Sequence, residues 1–64
     1  MEEFPARLRA LRGRTDRKAL GELVGLSKNI IGMYERGEKE PTLPVLLKLA
    51  EFFDVTLDDL CGKK

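Results

Sequence analysis

The chain has 64 residues, with twelve Lys/Arg, eleven Asp/Glu, a formal net charge of +1 and no histidine. A chain this short can bury only about 60% of its unfolded surface, which predicts one compact domain over residues 1–64. The single cysteine, Cys61, excludes an internal disulfide and a cysteine-based zinc site, and the lack of histidine removes the commonest general base.

The charges are distributed unevenly along the chain. Between Arg7 and Arg36 there are eight Lys/Arg and three Asp/Glu, a balance of +5, whereas from Gly37 onward there are four Lys/Arg and six Asp/Glu, a balance of −2. Such asymmetry indicates either a basic face for a polyanion or a set of charged, solvated helices. No apolar run is long enough for a membrane helix and no signal peptide is visible, so we expect a cytoplasmic protein without membrane contact.

The first predicted helix extends from Phe4 to Gly13. Phe4, Leu8 and Leu11 recur at spacings of four and three and form one apolar stripe. Arginines lie off this stripe, and Gly13 ends the helix. The helix is therefore amphipathic, with its apolar stripe available to a core.

A second helix is predicted over about Arg17 to Val24, with Asp16 as its N-cap. Its inner face has three apolar positions: Ala19, Leu20 and either Leu23 or Val24. Gly21 costs about 1 kcal/mol relative to alanine in a helix, so we expect another helix to cross closely there. Gly25 suits a residue with positive φ. Two short helices joined by a glycine-containing turn form a helix-turn-helix pattern.

The third helix is predicted between Ser27, a good N-cap, and Gly37, a good residue just past a helix end. At about 100° per residue its side chains divide into two arcs. The inner arc is apolar and consists of Ile30, Ile31 and Tyr34. The outer arc is small, polar and basic and consists of Lys28, Asn29, Gly32, Met33 and Arg36. The helix can therefore pack by its inner arc and present its outer arc to an anionic ligand.

Two further helices are predicted after a polar loop. The fourth covers about Leu43 to Phe53, with Thr42 as its cap. Its expected core stripe consists of Leu43, Leu46, Leu47, Ala50 and Phe53. Three more apolar residues are expected to be partly exposed: Val45, Leu49 and Phe52. Leu49 and Phe52 are therefore candidates for a dimer surface. Thr56 begins and caps a last helix that ends at about Cys61, with Asp59 in the capping-box position.

A recognisable pattern is formed by these segments: Leu8-Arg-Ala-Leu-Arg12, Leu20-Gly-Glu-Leu-Val-Gly-Leu-Ser27, Ile31, Tyr34-Glu-Arg-Gly37, Pro41-Thr-Leu43, Leu46-Leu-Lys-Leu-Ala50 and Val55-Thr-Leu-Asp-Asp-Leu60. With these segments the chain resembles the Cro/repressor (XRE-type) helix-turn-helix DNA-binding domains. The resemblance covers nearly the whole chain and implies an all-α fold, a compact five-helix bundle of the lambda-repressor-like type. It also implies that the third helix, residues 28–36, lies in the major groove of double-stranded DNA.

The resemblance also implies roles for exposed residues. Base edges would be contacted by Lys28, Asn29, Gly32 and Met33. Backbone phosphates would be contacted by Arg14, Arg17, Ser27, Arg36 and Lys39. Most of these residues have a plainer interpretation. Gly32 could result from packing alone, and Lys39 could be an ordinary surface charge. Lys28 and Asn29 could be solvated residues at a helix start, Met33 could fill a gap in the core, and the arginines could be ordinary surface charges.

Four features depart from the family pattern. Gly32 and Met33 offer no hydrogen bond to a base, where the family often has polar groups. Arg17 replaces the usual glutamine but still suits a phosphate. The short connection before the second helix leaves open which arginine of the first helix pairs with Glu35, which we interpret as a structural residue. Glu38 and Glu40 make the loop after the third helix less basic than usual.

Together these features predict a sequence-specific, double-stranded DNA-binding transcriptional regulator. The simplest form is a repressor that binds a palindromic operator as a homodimer, with half-sites about 34–36 Å apart. The alternative is a protein-interaction module of the same fold, an antitoxin or anti-repressor partner, in which apolar helix faces matter more than the basic one. An enzyme is not expected, because the sequence lacks a phosphate-binding loop and converging carboxylates as well as histidine. No cofactor, metal or small-molecule ligand is expected.

Overall fold

The computed structural model describes residues 3–62, so the ends of the predicted domain, residues 1–2 and 63–64, lie outside the described residues. The described part is all-α, as predicted. In chain order its helices are α1 (Phe4–Arg12), α2 (Arg17–Val24), α3 (Lys28–Glu35), α4 (Leu43–Phe53) and α5 (Leu57–Cys61). These bounds agree with the sequence-based ones to within a residue. None of the described helices is long and apolar enough to cross a membrane.

Side chains cap three of the helices where the sequence predicted caps. The side-chain oxygens of Asp16, Ser27 and Thr56 accept hydrogen bonds from the backbone N–H three residues further on, at 2.7, 3.1 and 3.0 Å. Each bond satisfies a backbone donor that has no partner inside its helix. Thr42 is the N-cap residue of α4, but its side chain makes no capping hydrogen bond, so that part of the prediction is wrong.

The end of α3 is held by two backbone hydrogen bonds. Gly37, with φ of 73°, donates its N–H to the carbonyl of Tyr34 at 3.1 Å. The N–H of Glu38 donates to the carbonyl of Met33 at 2.9 Å. This pair of bonds is the Schellman motif, in which a glycine adopts the left-handed conformation just past the helix. The motif reverses the direction of the chain after α3, and the side chain of Glu38 contacts the side chain of Arg36.

One hydrophobic core joins all five helices of the described chain. Its buried members are Phe4, Leu8, Leu20, Val24, Ile31, Tyr34, Leu46, Leu49, Ala50 and Leu60. α1 packs against α3 and α5, and α4 packs against α5 and α2. The open choice in α2 is resolved, because Val24 is buried and Leu23 is 63% exposed. The inner arc of α3 faces this core, which leaves its outer arc toward the surface.

The predicted burial pattern of α4 is partly wrong. Leu49 is fully buried, whereas Leu43 and Leu47 are 59% and 51% exposed. The other predicted stripe positions do face the core: Leu46 and Ala50, which are buried, and Phe53, which is partly buried. Because Leu49 is inside the core, it cannot belong to a dimer surface. Phe52, at 44% exposed, remains accessible.

Candidate nucleic-acid interface

The turn between α2 and α3 sets the relative position of the two helices. A Cβ atom at Gly21 would lie 2.2 Å from the backbone carbonyl oxygen of Leu26, far inside contact distance. That carbonyl belongs to the turn, so the prediction that another helix crosses at Gly21 is wrong. Gly25 adopts φ of 74°, and the N–H of Leu26 donates to the carbonyl of Gly21 at 2.8 Å. The two glycines therefore allow the chain to fold back tightly into α3.

The structure exposes only part of the outer arc of α3. Lys28 and Asn29 are exposed in its first turn, and Met33 is half-buried. Gly32 is buried, which differs from the expectation for this arc. A Cβ atom at Gly32 would lie 2.9 Å from Nη1 of Arg36. The guanidinium of Arg36 thus lies over Gly32 and covers it.

An open hollow with a volume of about 530 Å³ lies beside the N-terminal halves of α2 and α3. The residues that line it are Arg12, Asp16, Arg17, Lys18, Lys28, Asn29, Gly32 and Arg36. Five of these are lysine or arginine and one is acidic, so we call it the basic hollow. Residues from the first turns of both helices contribute to it, so the positive ends of two helix dipoles add to the side-chain charge. The basic hollow is therefore suited to an anionic ligand.

Glu35 is a buried charge behind this surface, with a fully buried side chain. Arg12 donates through Nε to Oε2 and through Nη2 to Oε1, the latter at 2.9 Å. Arg17 donates through Nε to Oε1 at 3.1 Å. Burial alone would raise the pKa of Glu35, but the hydrogen bonds and charges of the two arginines outweigh it and lower the pKa. Glu35 is thus an ionised structural residue, and its partner in α1 is Arg12.

The two partners of Glu35 differ in exposure. The side chain of Arg12 is 14% exposed, and hydrogen bonding to the Glu35 carboxylate raises its pKa. The side chain of Arg17 is 43% exposed. Arg12 is therefore largely buried against Glu35, whereas Arg17 contacts Glu35 with a side chain that is still accessible to solvent, and both residues line the basic hollow.

Arg36 forms a second ion pair, with Glu38. Nε of Arg36 donates to Oε2 of Glu38 at 3.0 Å, and Nη2 donates to Oε1 at 3.3 Å. This hydrogen bonding raises the pKa of Arg36 and lowers the pKa of Glu38. The sequence analysis missed the pair, although an acidic residue two positions after a basic one, across a helix end, was a usable signal.

Three of the predicted phosphate contacts are not among the residues that line the basic hollow: Arg14, Ser27 and Lys39. Arg14 is exposed between α1 and α2, and Lys39 is exposed in the loop after α3. Lys18 does line the hollow and was missed, although its place beside Arg17 in the first turn of α2 pointed there. Within residues 3–62, no group of acidic or cysteine residues is arranged to hold a metal ion.

A helix-turn-helix family model matches residues 6–60 of the chain. The chain belongs to the helix-turn-helix family. The matched region covers α2, the turn and α3, whose geometry is described above, and almost all of the other helices. Membership places the domain among the DNA-binding domains of transcriptional regulators, not among enzymes.

Three curated proteins are similar to this helix-turn-helix chain. It is 40% identical to the HTH-type transcriptional regulator AnsR of Bacillus subtilis (strain 168) over 43 residues, 67% of this chain and 37% of that protein. It is 34% identical to the cryptic phage CTXphi transcriptional repressor RstR of Vibrio cholerae over 44 residues, 69% of this chain and 39% of that protein. It is 38% identical to the uncharacterized HTH-type transcriptional regulator YobD of Bacillus subtilis (strain 168) over 58 residues, 88% of this chain and 52% of that protein.

The matched region thus spans between 37% and 52% of the length of these relatives. No solved structure matches the chain.

Proposed function

We propose that this helix-turn-helix protein is a sequence-specific, double-stranded DNA-binding transcriptional repressor, with α3 in the major groove. The main support is the basic hollow beside the exposed first turn of α3, a helix whose opposite side is buried. In helix-turn-helix proteins the second helix of the motif enters the major groove with its N-terminal residues on base edges. A relative named as a transcriptional repressor supports the repressor role. Because the proposed ligand is DNA, we expect a cytoplasmic location.

The base contacts are proposed for the outer arc: Lys28, Asn29, Gly32 and Met33. Lys28 can donate to O6 and N7 of guanine, and Asn29 can pair with N6 and N7 of adenine. Both side chains are exposed in the first turn of α3. The half-buried Met33 can offer its exposed part to a thymine methyl group. Gly32 is covered by Arg36, so any contact near Gly32 involves the Arg36 guanidinium.

The phosphate contacts are proposed for residues that flank the outer arc: Arg14, Arg17, Ser27 and Lys39. The resemblance also implies a phosphate contact for Arg36, whose hydrogen bonds to Glu38 compete with a phosphate for the same donors. Arg17 borders the basic hollow, and its contact with Glu35 fixes its guanidinium in position. The hydroxyl of Ser27 accepts from the N–H of Ile30 and can still donate its own proton to a phosphate oxygen. Phosphate contacts of this kind set the orientation of the protein on the duplex and contribute affinity for every sequence.

We also propose that residues 1–64 act as one domain and bind a palindromic operator as a homodimer. One motif contacts few base pairs, and a symmetric pair doubles the site, with half-sites about 34–36 Å apart. Because Leu49 is buried, Phe52 is the remaining candidate for the dimer surface. Its ring lies edge-to-face against Phe53, with centroids 5.1 Å apart, so an apolar surface is present at this end of α4.

A protein-interaction module of the same fold is the second candidate. It is favoured by the exposed leucines of α2 and α4: Leu23, Leu43 and Leu47. Selection of binding sites from random duplex DNA, followed by affinity measurements over a range of salt concentrations, separates the two functions. A repressor should select a palindromic consensus and bind it with a steep salt dependence. If no sequence is enriched, the repressor proposal is wrong.

We expect Arg17→Ala to weaken binding to all DNA sequences by a similar factor. Losing one phosphate contact should also lower the slope of log K against log salt by about one unit. Arg12 still neutralises Glu35, so the free energy of unfolding should fall by at most about 1 kcal/mol. The matched control is Arg9→Ala, which removes an exposed arginine of α1 outside the basic hollow and should leave the slope unchanged. A loss confined to the selected sequence would contradict a phosphate role.

We expect Asn29→Ala to cost about 1–3 kcal/mol of binding free energy on the best site, because a bidentate contact to one base is lost. Non-specific binding and the salt slope should stay nearly unchanged, since no phosphate contact is involved. Thermal stability should also stay unchanged, because the side chain is exposed. Site selection with parent and variant is the measurement. Recovery of the same preferred base at every position would show that Asn29 does not contribute to sequence recognition.

A further inference from the structure

Glu38 contacts the guanidinium of Arg36 at two points on the protein surface. The two hydrogen bonds, at 3.0 and 3.3 Å, use Nε and Nη2 of Arg36 and both carboxylate oxygens. A two-point contact of this kind restricts orientation, whereas a single bond would leave the side chain free to rotate. Among the hydrogen bonds of residues 3–62, none uses Nη1 of Arg36. That nitrogen therefore remains available as a donor.

Gly32 provides the space that the guanidinium occupies. Arg36 lies four residues after Gly32, and positions at this spacing share one face of a helix. A Cβ atom at Gly32 would lie 2.9 Å from Nη1 and 3.7 Å from Nη2 of Arg36. The glycine thus allows the guanidinium to lie against α3 with Nη1 nearest the helix, beside Lys28 and Asn29 on the wall of the basic hollow.

We propose that Glu38 is a specificity-determining residue, because it and Gly32 hold Arg36 on the outer arc, where Arg36 contacts a base edge in place of a phosphate. The proposal rests on the function proposed above, in which this arc enters the major groove. Arg36 extends from the last turn of α3, and without Glu38 its long side chain could swing outward to the DNA backbone. The pair lowers the number of phosphate contacts and adds a directed donor to the groove.

The negative charge of Glu38 also increases the preference for the specific sequence over other sequences. A carboxylate near the DNA backbone is repelled by phosphates, and this repulsion weakens binding to every sequence. Only a site with an acceptor in reach of Arg36, such as O6 or N7 of guanine, offsets that cost. Specificity is a difference between affinities, and it increases when the wrong sequences are penalised.

The test compares Glu38→Gln with Glu40→Gln. Both substitutions remove one negative charge from exposed positions of the same loop, but the described ion pair with Arg36 involves Glu38. Affinity is measured by fluorescence anisotropy for the selected duplex and for an unrelated duplex, over a range of salt concentrations.

Glu38→Gln should steepen the salt slope for unrelated DNA by about one unit, since the freed Arg36 gains a phosphate. The affinity ratio between the two duplexes should fall about ten-fold. Glu40→Gln should raise both affinities alike and leave the ratio unchanged.

A second variant, Gly32→Ala, tests whether the Arg36 guanidinium needs the space that the missing side chain at position 32 leaves. Alanine is the better helix former, so the melting temperature should stay the same or rise. The added methyl group should push the guanidinium of Arg36 off the helix and lower the affinity ratio, as in Glu38→Gln. In an Arg36→Gln background, Glu38→Gln should cause no further change in the salt slope. A Gly32→Ala protein that keeps the parent ratio would overturn the proposal.

The outcomes also separate this inference from the proposed function. If the parent protein prefers no sequence, the repressor proposal fails and this inference fails with it. If the parent selects a sequence but Glu38→Gln and Glu40→Gln behave alike, the inference alone is overturned.

Discussion

Leu49→Ala should lower the free energy of unfolding by about 2–5 kcal/mol, the range for a leucine removed from a closely packed core. Leu49 is fully buried, in the middle of α4, where that helix packs against α2 and α5. Removal of its side chain leaves a cavity that the neighbouring helices can close only in part. A domain of this size has only a few kcal/mol of net stability, so the variant should be largely unfolded at 37 °C by circular dichroism.

The matched control for Leu49→Ala is Leu47→Ala, two residues earlier in the same helix. Leu47 is 51% exposed, so its removal should change the free energy of unfolding by only about 0.5 kcal/mol. The pair also distinguishes the structure from the sequence pattern, which assigned Leu47 to the core and Leu49 to the surface. A larger loss for Leu47→Ala than for Leu49→Ala in urea denaturation would contradict the packing of α4 described here.

The helix bounds could be predicted from the sequence because local chemistry sets them. Asp16, Ser27 and Thr56 each bond a backbone N–H three residues further on, and Gly25 and Gly37 have positive φ at helix ends. Caps and left-handed glycines act within one turn of chain, so the neighbouring residues are enough to recognise them.

The buried side of α4 could not be predicted in this way. Eight of its eleven residues are apolar, so hydrophobic residues occur on nearly every side of the helix. Periodicity identifies a core face only where polar residues mark the opposite side. The choice between Leu47 and Leu49 depends on where α2 and α5 lie, which is tertiary information. Gly21 was misassigned for a different reason, because the atom that excludes a side chain there, the carbonyl oxygen of Leu26, lies only five residues along the chain, in the turn itself.

The candidate DNA surface was predictable in outline but not in its ion pairs. The helical periodicity of α3 correctly predicted that Lys28 and Asn29 are exposed. Glu35 was correctly interpreted as a structural partner of an arginine in α1. The burial of Gly32 was not predictable, because it results from the conformation of the Arg36 side chain. Long side chains can adopt many rotamers, and their partners are decided by geometry that the helical pattern does not contain.

Glu35→Gln should lower the free energy of unfolding by about 3 kcal/mol at neutral pH, because it leaves the mostly buried Arg12 without a counter-charge. The control is Glu51→Gln, the same substitution at an exposed position of α4, which should change stability by only about 0.5 kcal/mol.

The effect of Glu35→Gln should also depend on pH. The pKa of Glu35 in the folded protein lies below its ordinary value of 4.5, because the two arginines outweigh the effect of burial. The unfolded chain therefore binds a proton more readily, so this residue stabilises the fold above about pH 4.5 and loses its contribution as the pH falls toward the lower, folded-state pKa. Urea denaturation of parent and variant at several pH values should show their difference narrowing below about pH 4.5. A difference that stays constant on acidification would mean that packing of the side chain, and not its charge, accounts for the loss.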